Sequence, residues 1–142
     1  MKPITRRQFH GALAASAVAL QLKSARAEVG PNDRIRVGAI GYGSRGTGNL
    51  AEFLNNPEVD IPVVCEVDET RLAKAVAHVE KQSGKKPDAV SDFRKVIERN
   101  DLDAILVSTP DHWHALPTVF ACQTGKDVYV EKPLARTVDE GR

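Results

Sequence analysis

An α/β fold with a parallel sheet wound on both faces is what this sequence predicts, on three observations. Several short runs are β-branched and apolar throughout, the pattern of strands covered on both sides. Amphipathic segments of helical period separate them. The first such run stops at a cluster of three glycines, Gly41, Gly43 and Gly46. With 142 residues, 42% hydrophobic and 27% charged, the chain has the size and composition of one ordinary globular domain.

The first 27 residues read as an address rather than as part of that fold. Lys2 to Arg7 is a basic stretch, Gly11 to Leu22 a short apolar run, and Ala25-Arg26-Ala27 a small-x-small cleavage pattern. The apolar run is too short to span a bilayer, which takes roughly 20 residues per helix. Thr5-Arg6-Arg7-Gln8-Phe9 resembles the twin-arginine signal of bacterial export. The segment is therefore expected to direct a folded protein to the periplasm, with no stable membrane insertion after cleavage. A turn-rich linker follows over residues 28–33, and the domain occupies 34–142.

The elements then follow in order. Arg34 to Ile40 is the first strand, and Thr47 to Asn56 a helix with Leu50, Phe53 and Leu54 at helical spacing. Ile61 to Val67 is the second strand. Glu69 to Gln82 is a helix with Leu72, Val76 and Val79 on one face, and Asp92 to Arg99 a shorter one. Asp103 to Ser108 is the third strand. His112 to Thr124 is a helix that has Pro117 near its first turn and is capped by Gly125. Asp127 to Val130 is the fourth strand, and Thr137 to Arg142 begins another helix.

Charge and cysteine usage exclude some functions. The address segment holds five basic residues and no acid, leaving 15 basic against 19 acidic side chains beyond it. A mildly acidic body gives no electrostatic footprint for nucleic acid. Cys65 and Cys122 lie far apart in apolar stretches without ligand spacing, so they read as small hydrophobes rather than a disulfide or metal site.

The run Gly41-Tyr42-Gly43-Ser44-Arg45-Gly46 fits G-x-G-x-x-G. It follows a strand directly and opens a helix, as a Rossmann-type dinucleotide loop requires. Gly41 permits the tight turn, Gly43 lets the pyrophosphate approach the backbone, and Gly46 lets helix and strand pack closely. The helix N-terminus adds free N–H groups and a positive dipole end. Glu66 lies 20 residues past Gly46, where an acid accepts hydrogen bonds from the adenosine ribose. A carboxylate there repels the 2′-phosphate of NADP, so NAD is the expected cofactor. Asp68 either shares that role or N-caps the next helix. Arg45 can reach a phosphate, which keeps NADP as the alternative.

Two further motifs follow later strands. Ser108-Thr109-Pro110-Asp111-His112-Trp113-His114 comes after the third and Glu131-Lys132-Pro133 after the fourth, at the strand ends where open α/β sheets bind ligands. Glu131 can orient the Lys132 ammonium toward a sugar hydroxyl, and Lys132 can move a proton as hydride leaves carbon. The Lys132-Pro133 bond is a candidate cis peptide. Trp113 either packs or lines the site; His112 reads as a solvated or capping residue, and His78 as peripheral. His114 is open between lining the cofactor pocket and standing on a helix surface.

Together the three motifs, Ala39-Ile40-Gly41-Tyr42-Gly43, Thr109-Pro110-Asp111-His112-Trp113-His114 and Glu131-Lys132-Pro133-Leu134, resemble the Gfo/Idh/MocA family of NAD(P)-dependent oxidoreductases, in its order and approximate spacing. The resemblance implies hydride transfer on a sugar-like or polyol substrate. It also implies that the turn after Thr109-Pro110 lines the nicotinamide end, that His114 lies near cofactor or substrate, and that Lys132 is catalytic. Family members carry a second, C-terminal α/β domain that supplies most substrate contacts. The chain is thus expected to be the nucleotide-binding part of a longer enzyme, or a truncated non-catalytic fragment, with apolar surface left uncovered. A glycoside hydrolase using tightly held NAD is a second chemistry known on this fold.

Overall fold

The computed structural model describes Gly30 and residues 33–142. The expected signal segment, and the 28–33 linker apart from Gly30 and Asp33, lie outside the described residues. Five strands form one parallel sheet: β1 (Ile35–Ile40), β2 (Val59–Cys65), β3 (Asp88–Val90), β4 (Ala104–Val107) and β5 (Asp127–Val130). Their order is β3-β2-β1-β4-β5, so β1 is central and the chain turns back past it between β3 and β4. The helices are α1 (Ser44–Leu54), α2 (Glu69–Ser83), the single turn α3 (Arg94–Ile97) and α4 (Ala115–Gln123). A 3-10 turn, Asp111–Trp113, precedes α4.

The two apolar clusters show why the strands carry no alternation. Val37, Ala39, Val64 and Leu106 pack on one sheet face with Leu50 of α1 and Ala75 and Val79 of α2. Ile40, Cys65, Ile105 and Val107 pack on the other with Val96 and Ile97 of α3 and Ala121 of α4. The three inner strands β2, β1 and β4 therefore bury both of their faces, the doubly wound arrangement expected. Gly38 is the place where α3 comes closest to β1. A Cβ there would lie 2.5 Å from Val96 Cγ1 and 2.9 Å from Leu102 Cδ1. Gly38→Val is expected to overpack this face and cost about 1–3 kcal/mol, read as a lower melting temperature. A melting temperature equal to that of the unsubstituted chain would show that the layer is loosely packed.

The differences from the sequence reading have local causes. β3 was not legible because it is three residues long, carries no apolar run, and exists only through its pairing with Val63–Cys65 of β2. Pro62 is tolerated inside β2 because the β1–β2 register shifts there, and β3 does not reach it. α1 begins at Ser44, directly after Gly43, rather than at Thr47. The helix expected from His112 starts at Ala115, so Pro117 falls in its first turn, where a missing N–H costs nothing. The helix expected over Thr137 to Arg142 is a single turn, closed by Gly141 N–H donating to Thr137 O at 3.3 Å. Val138 in it is 73% exposed, so no packed face sustains a longer helix.

Candidate functional site

The ladder hydrogen bonds align one residue past each strand end. The Gly41 N–H donates to Cys65 O (2.8 Å), Glu66 to Val90 O (3.1 Å), Ser108 to Ile40 O (2.8 Å) and Glu131 to Val107 O (3.1 Å). Residues from four strands thus stand side by side along the carboxyl edge of the sheet, around the point where strand order reverses. This is where ligands bind in open α/β folds.

The glycine loop sits at the centre of that row. Gly41 has φ +93°, and a Cβ on it would lie 2.7 Å from the Ser108 carbonyl, so both conformation and space require glycine. A Cβ on Gly46 would lie 2.5 Å from Gly41 O, whereas one on Gly43 would meet no protein atom within 4 Å. α1 starts here with no side-chain cap and no acid in its first turn. The amides of that turn, with the dipole behind them, suit a phosphate. A cavity of about 590 Å³ runs over the loop, lined by Glu66, Val67 and Arg71 on the β2 side and by Thr109, Pro110, His112 and Trp113 on the β4 side. That volume is in the range of cofactor sites. The Thr109 hydroxyl is buried without a hydrogen-bond partner. The uncapped helix start and the open space at Gly43 fit a dinucleotide.

Glu66, 8% exposed, is held as rigidly as the loop. Its Oε2 accepts from Tyr42 N–H at 2.8 Å, and its Oε1 from Val67 N–H at 2.9 Å and Asp68 N–H at 3.2 Å. A carboxylate has about four acceptor positions, so room remains for a ribose hydroxyl. Asp68 N-caps α2, accepting from Arg71 N–H at 2.9 Å. Tyr42 Oη is 3.0 Å from His78 Nδ1, so His78 is a brace of the loop and not peripheral. Cys65, beside Glu66, is buried, and desolvation pushes its thiol up to about 12. It stays protonated and inert at neutral pH. Cys122 is exposed rather than buried as expected, because it lies on the outward side of α4.

Arg45 lines the cleft over the glycine loop, whereas Glu131 departs from its expected role. Arg45 Nε donates to Glu131 Oε1 at 2.9 Å, on the β4–β5 side of the sheet and away from Glu66. Arg71 lines the same cleft as Arg45 and Glu66. Glu131, 9% exposed, also accepts from Asn49 Nδ2 at 2.9 Å, and Asn49 Nδ2 lies 2.9 Å from Ser108 Oγ. The Glu131 carboxylate is thus engaged chiefly by side chains of α1, with the Lys132 backbone amide adding to them. The Asn49 amide and then the Arg45 guanidinium hold its carboxyl below the usual carboxylate range. This contribution is present above the ordinary Glu value of about 4.3 and is lost as pH falls through the lower folded value.

A second cavity, about 530 Å³, adjoins the first and is lined by Arg45, Ser108, Thr109, Asp111, His114, Glu131 and Lys132. The Lys132-Pro133 bond is cis. His112 is exposed, beside Asp111. His114 is 3% exposed, so it is not a helix-surface residue. Its Nδ1 lies 2.7 Å from Pro133 O and its Nε2 2.8 Å from Thr109 O. Both ring nitrogens face carbonyls, so His114 joins the turn after β4 to the segment after β5, and it lines the cavity that holds Lys132. Trp113 is 44% exposed and packs edge-on against Phe93, with ring centroids 6.1 Å apart, so it both packs and lines the cleft. Leu116, Val119 and Phe120 leave an apolar face on α4.

Asn49, His78 and Arg71 escaped the sequence reading. Asn49 had a signal: it is the one polar side chain on the Gly46–Leu50–Phe53 stripe of α1, and such a residue needs a buried partner.

Comparison with known proteins agrees with this geometry. The family model described as an oxidoreductase family with an NAD-binding Rossmann fold, GFO_IDH_MocA, matches residues 35–142. A glycosyl hydrolase family 109 protein of Shewanella putrefaciens is 36% identical over 112 residues, 76% of this chain and 24% of that protein. An alpha-N-acetylgalactosaminidase of Shewanella oneidensis is 33% identical over 134 residues, 89% of this chain and 29% of that protein. Among solved structures, myo-inositol dehydrogenase of Lactobacillus casei, in complex with NAD(H) and myo-inositol, matches with a TM-score of 0.67 and 25% identity, over 75% of this chain and 31% of that one. The chain spans about a quarter of the length of the curated relatives it matches.

Proposed function

Because the chain belongs to the Gfo/Idh/MocA oxidoreductase family and carries its NAD-binding Rossmann domain, we propose that it is the cofactor-holding part of an exported enzyme that transfers hydride to or from a carbinol carbon of a sugar-like or polyol substrate. The support is the junction of the two cavities. The cleft over the glycine loop shares Arg45, Ser108 and Thr109 with the cavity that carries Lys132, so a bound dinucleotide and a substrate would meet there.

In this reading the first-turn amides of α1 bind the pyrophosphate, and Glu66 accepts from the adenosine ribose. The Glu66 carboxylate disfavours a 2′-phosphate, which makes NAD the preferred form. Arg71, which lines the same cleft, is the residue through which NADP would be admitted. The bound nicotinamide supplies the hydride exchange. Lys132 Nζ orients the substrate hydroxyl, takes its proton as a carbonyl forms, and returns it in the reducing direction. The myo-inositol named for the Lactobacillus casei structure supports a polyhydroxylated substrate.

The matches to the family 109 protein and the galactosaminidase favour a second reading of the same site. A glycoside is oxidised transiently to a ketone, its aglycone is eliminated, water adds in its place, and the hydride is returned. The intact Glu131-Lys132-Pro133 motif inclines us to the first. Incubation of the enzyme with polyols and with aryl glycosides separates them. Net NADH absorbance with a polyol supports the oxidoreductase, while aglycone release at constant NADH absorbance supports the hydrolase and overturns it.

Export by the twin-arginine route rests on Arg6-Arg7 and the apolar run after it. The match that covers 89% of the chain reaches into the first 27 residues, since residues 28–142 are only about 81% of it. Replacing both arginines by lysine should strand the precursor in the cytoplasm, and unchanged periplasmic yield would reject this route.

A further inference from the structure

The acid of the Glu131-Lys132-Pro133 motif lines the cavity that holds Lys132, yet its side-chain partners lie on α1. Its carboxylate is buried and gives Oε1 to two donors of α1, Arg45 Nε and Asn49 Nδ2, each at 2.9 Å. Arg45 belongs to the first turn of α1, whose amides face the cofactor cleft, and Asn49 is one turn further on. Asn49 is 1% exposed and also holds Ser108 Oγ at 2.9 Å, so the ends of β4 and β5 reach α1 through one buried network. β5 is separated from β1 by β4, and Glu131 therefore spans the end of a whole strand to grip this helix.

The grip falls on the first turns of α1. Its start carries no side-chain cap, and the loop before it is fixed chiefly at Tyr42, on the opposite side, by Glu66 and His78. A charge-assisted hydrogen bond is about twice as strong as a neutral one, and Arg45 is otherwise exposed to water, at 68%. The next carboxylate acting on the guanidinium is Glu52, more weakly than Glu131.

We propose that Glu131 is a positioning residue of the cofactor site: through Arg45 and Asn49 it fixes the first turns of α1 against the sheet edge, so that the amides meet the pyrophosphate in register with Lys132. The inference rests on the cofactor placement given above. It assigns Glu131 to dinucleotide affinity rather than to orientation of the Lys132 ammonium.

The test uses the chain with NAD, ADP-ribose and AMP, with affinities read by calorimetry and, for AMP, by displacement of NAD. AMP carries only the adenosine-side phosphate and depends least on the Arg45 side of the loop. Glu131→Ala is expected to weaken NAD and ADP-ribose about tenfold while changing AMP less than twofold. Glu131→Gln, which keeps the acceptor, should recover most of the loss. In an Arg45→Ala background the Glu131→Ala effect should shrink, because the two act through one contact. Equal weakening of all three ligands with a lower melting temperature would reduce Glu131 to a structural prop and overturn the proposal. Unchanged affinity in Glu131→Ala would overturn it in favour of a role at Lys132. Failure of the unsubstituted chain to bind any of the three would overturn the cofactor placement itself, and this proposal with it.

Discussion

Gly43→Ala is expected to lose dinucleotide affinity by at least about tenfold while the fold melts within a few degrees of the unsubstituted chain. A Cβ at Gly43 meets no protein atom within 4 Å, so nothing in the domain resists it. The same methyl stands where a pyrophosphate approaches the loop, and displacing one charge-assisted hydrogen bond costs about 1.5–3 kcal/mol, tenfold or more in affinity. Two neighbouring glycines bracket this result. Gly46→Ala places a Cβ 2.5 Å from Gly41 O, so the loop backbone must shift, and both binding and stability fall. A Cβ on Gly48 meets nothing, and alanine there should raise stability by about 0.5–1 kcal/mol, as for any glycine inside a helix, with affinity unchanged. Calorimetry with NAD and a melting curve on each variant separate the three. Full affinity in Gly43→Ala would show that no phosphate passes over that residue.

The second large effect is expected at Lys132. Proton transfer by a positioned side chain contributes about 10²–10⁴ to rate, so Lys132→Ala should lower turnover by that factor. Lys132 lines the second cavity and not the cleft over the glycine loop, so the dissociation constant for NAD should stay within about twofold. Turnover retained in Lys132→Ala would remove this lysine from the chemistry. Joint loss of NAD affinity would mean that the two cavities act as one site.

How much of this was legible in the sequence follows from how local each signal is. β1, β2, β4, β5 and the major helices were readable because their periodicity lies within a few residues. The glycine loop was readable because strand, turn and helix are contiguous, and Glu66 because its spacing from Gly46 is set by one βαβ unit. Contacts that join distant segments were not. Arg45 and Glu131 are 86 residues apart, and nothing around either one marks the other as its partner. Proximity in sequence suggested pairing Glu131 with the Lys132 ammonium, and the fold pairs it chiefly with α1 instead. The same limit hid the Tyr42–His78 contact across 36 residues. Motif position placed His114 near the chemistry, but its burial between two carbonyls is a tertiary fact. β3 went unread because a three-residue edge strand is defined by its neighbour, not by its own composition.

The central claim is that the cleft over Gly41, Gly43 and Gly46 holds NAD with Glu66 at the adenosine ribose. Titration of the chain with NAD and with NADP in one calorimetric series tests it most directly. The account predicts a saturable one-to-one site that prefers NAD by at least about tenfold, since a carboxylate facing a 2′-phosphate costs about 1.4 kcal/mol or more. Equal or tighter binding of NADP would contradict the role given to Glu66, and no binding of either would contradict the site.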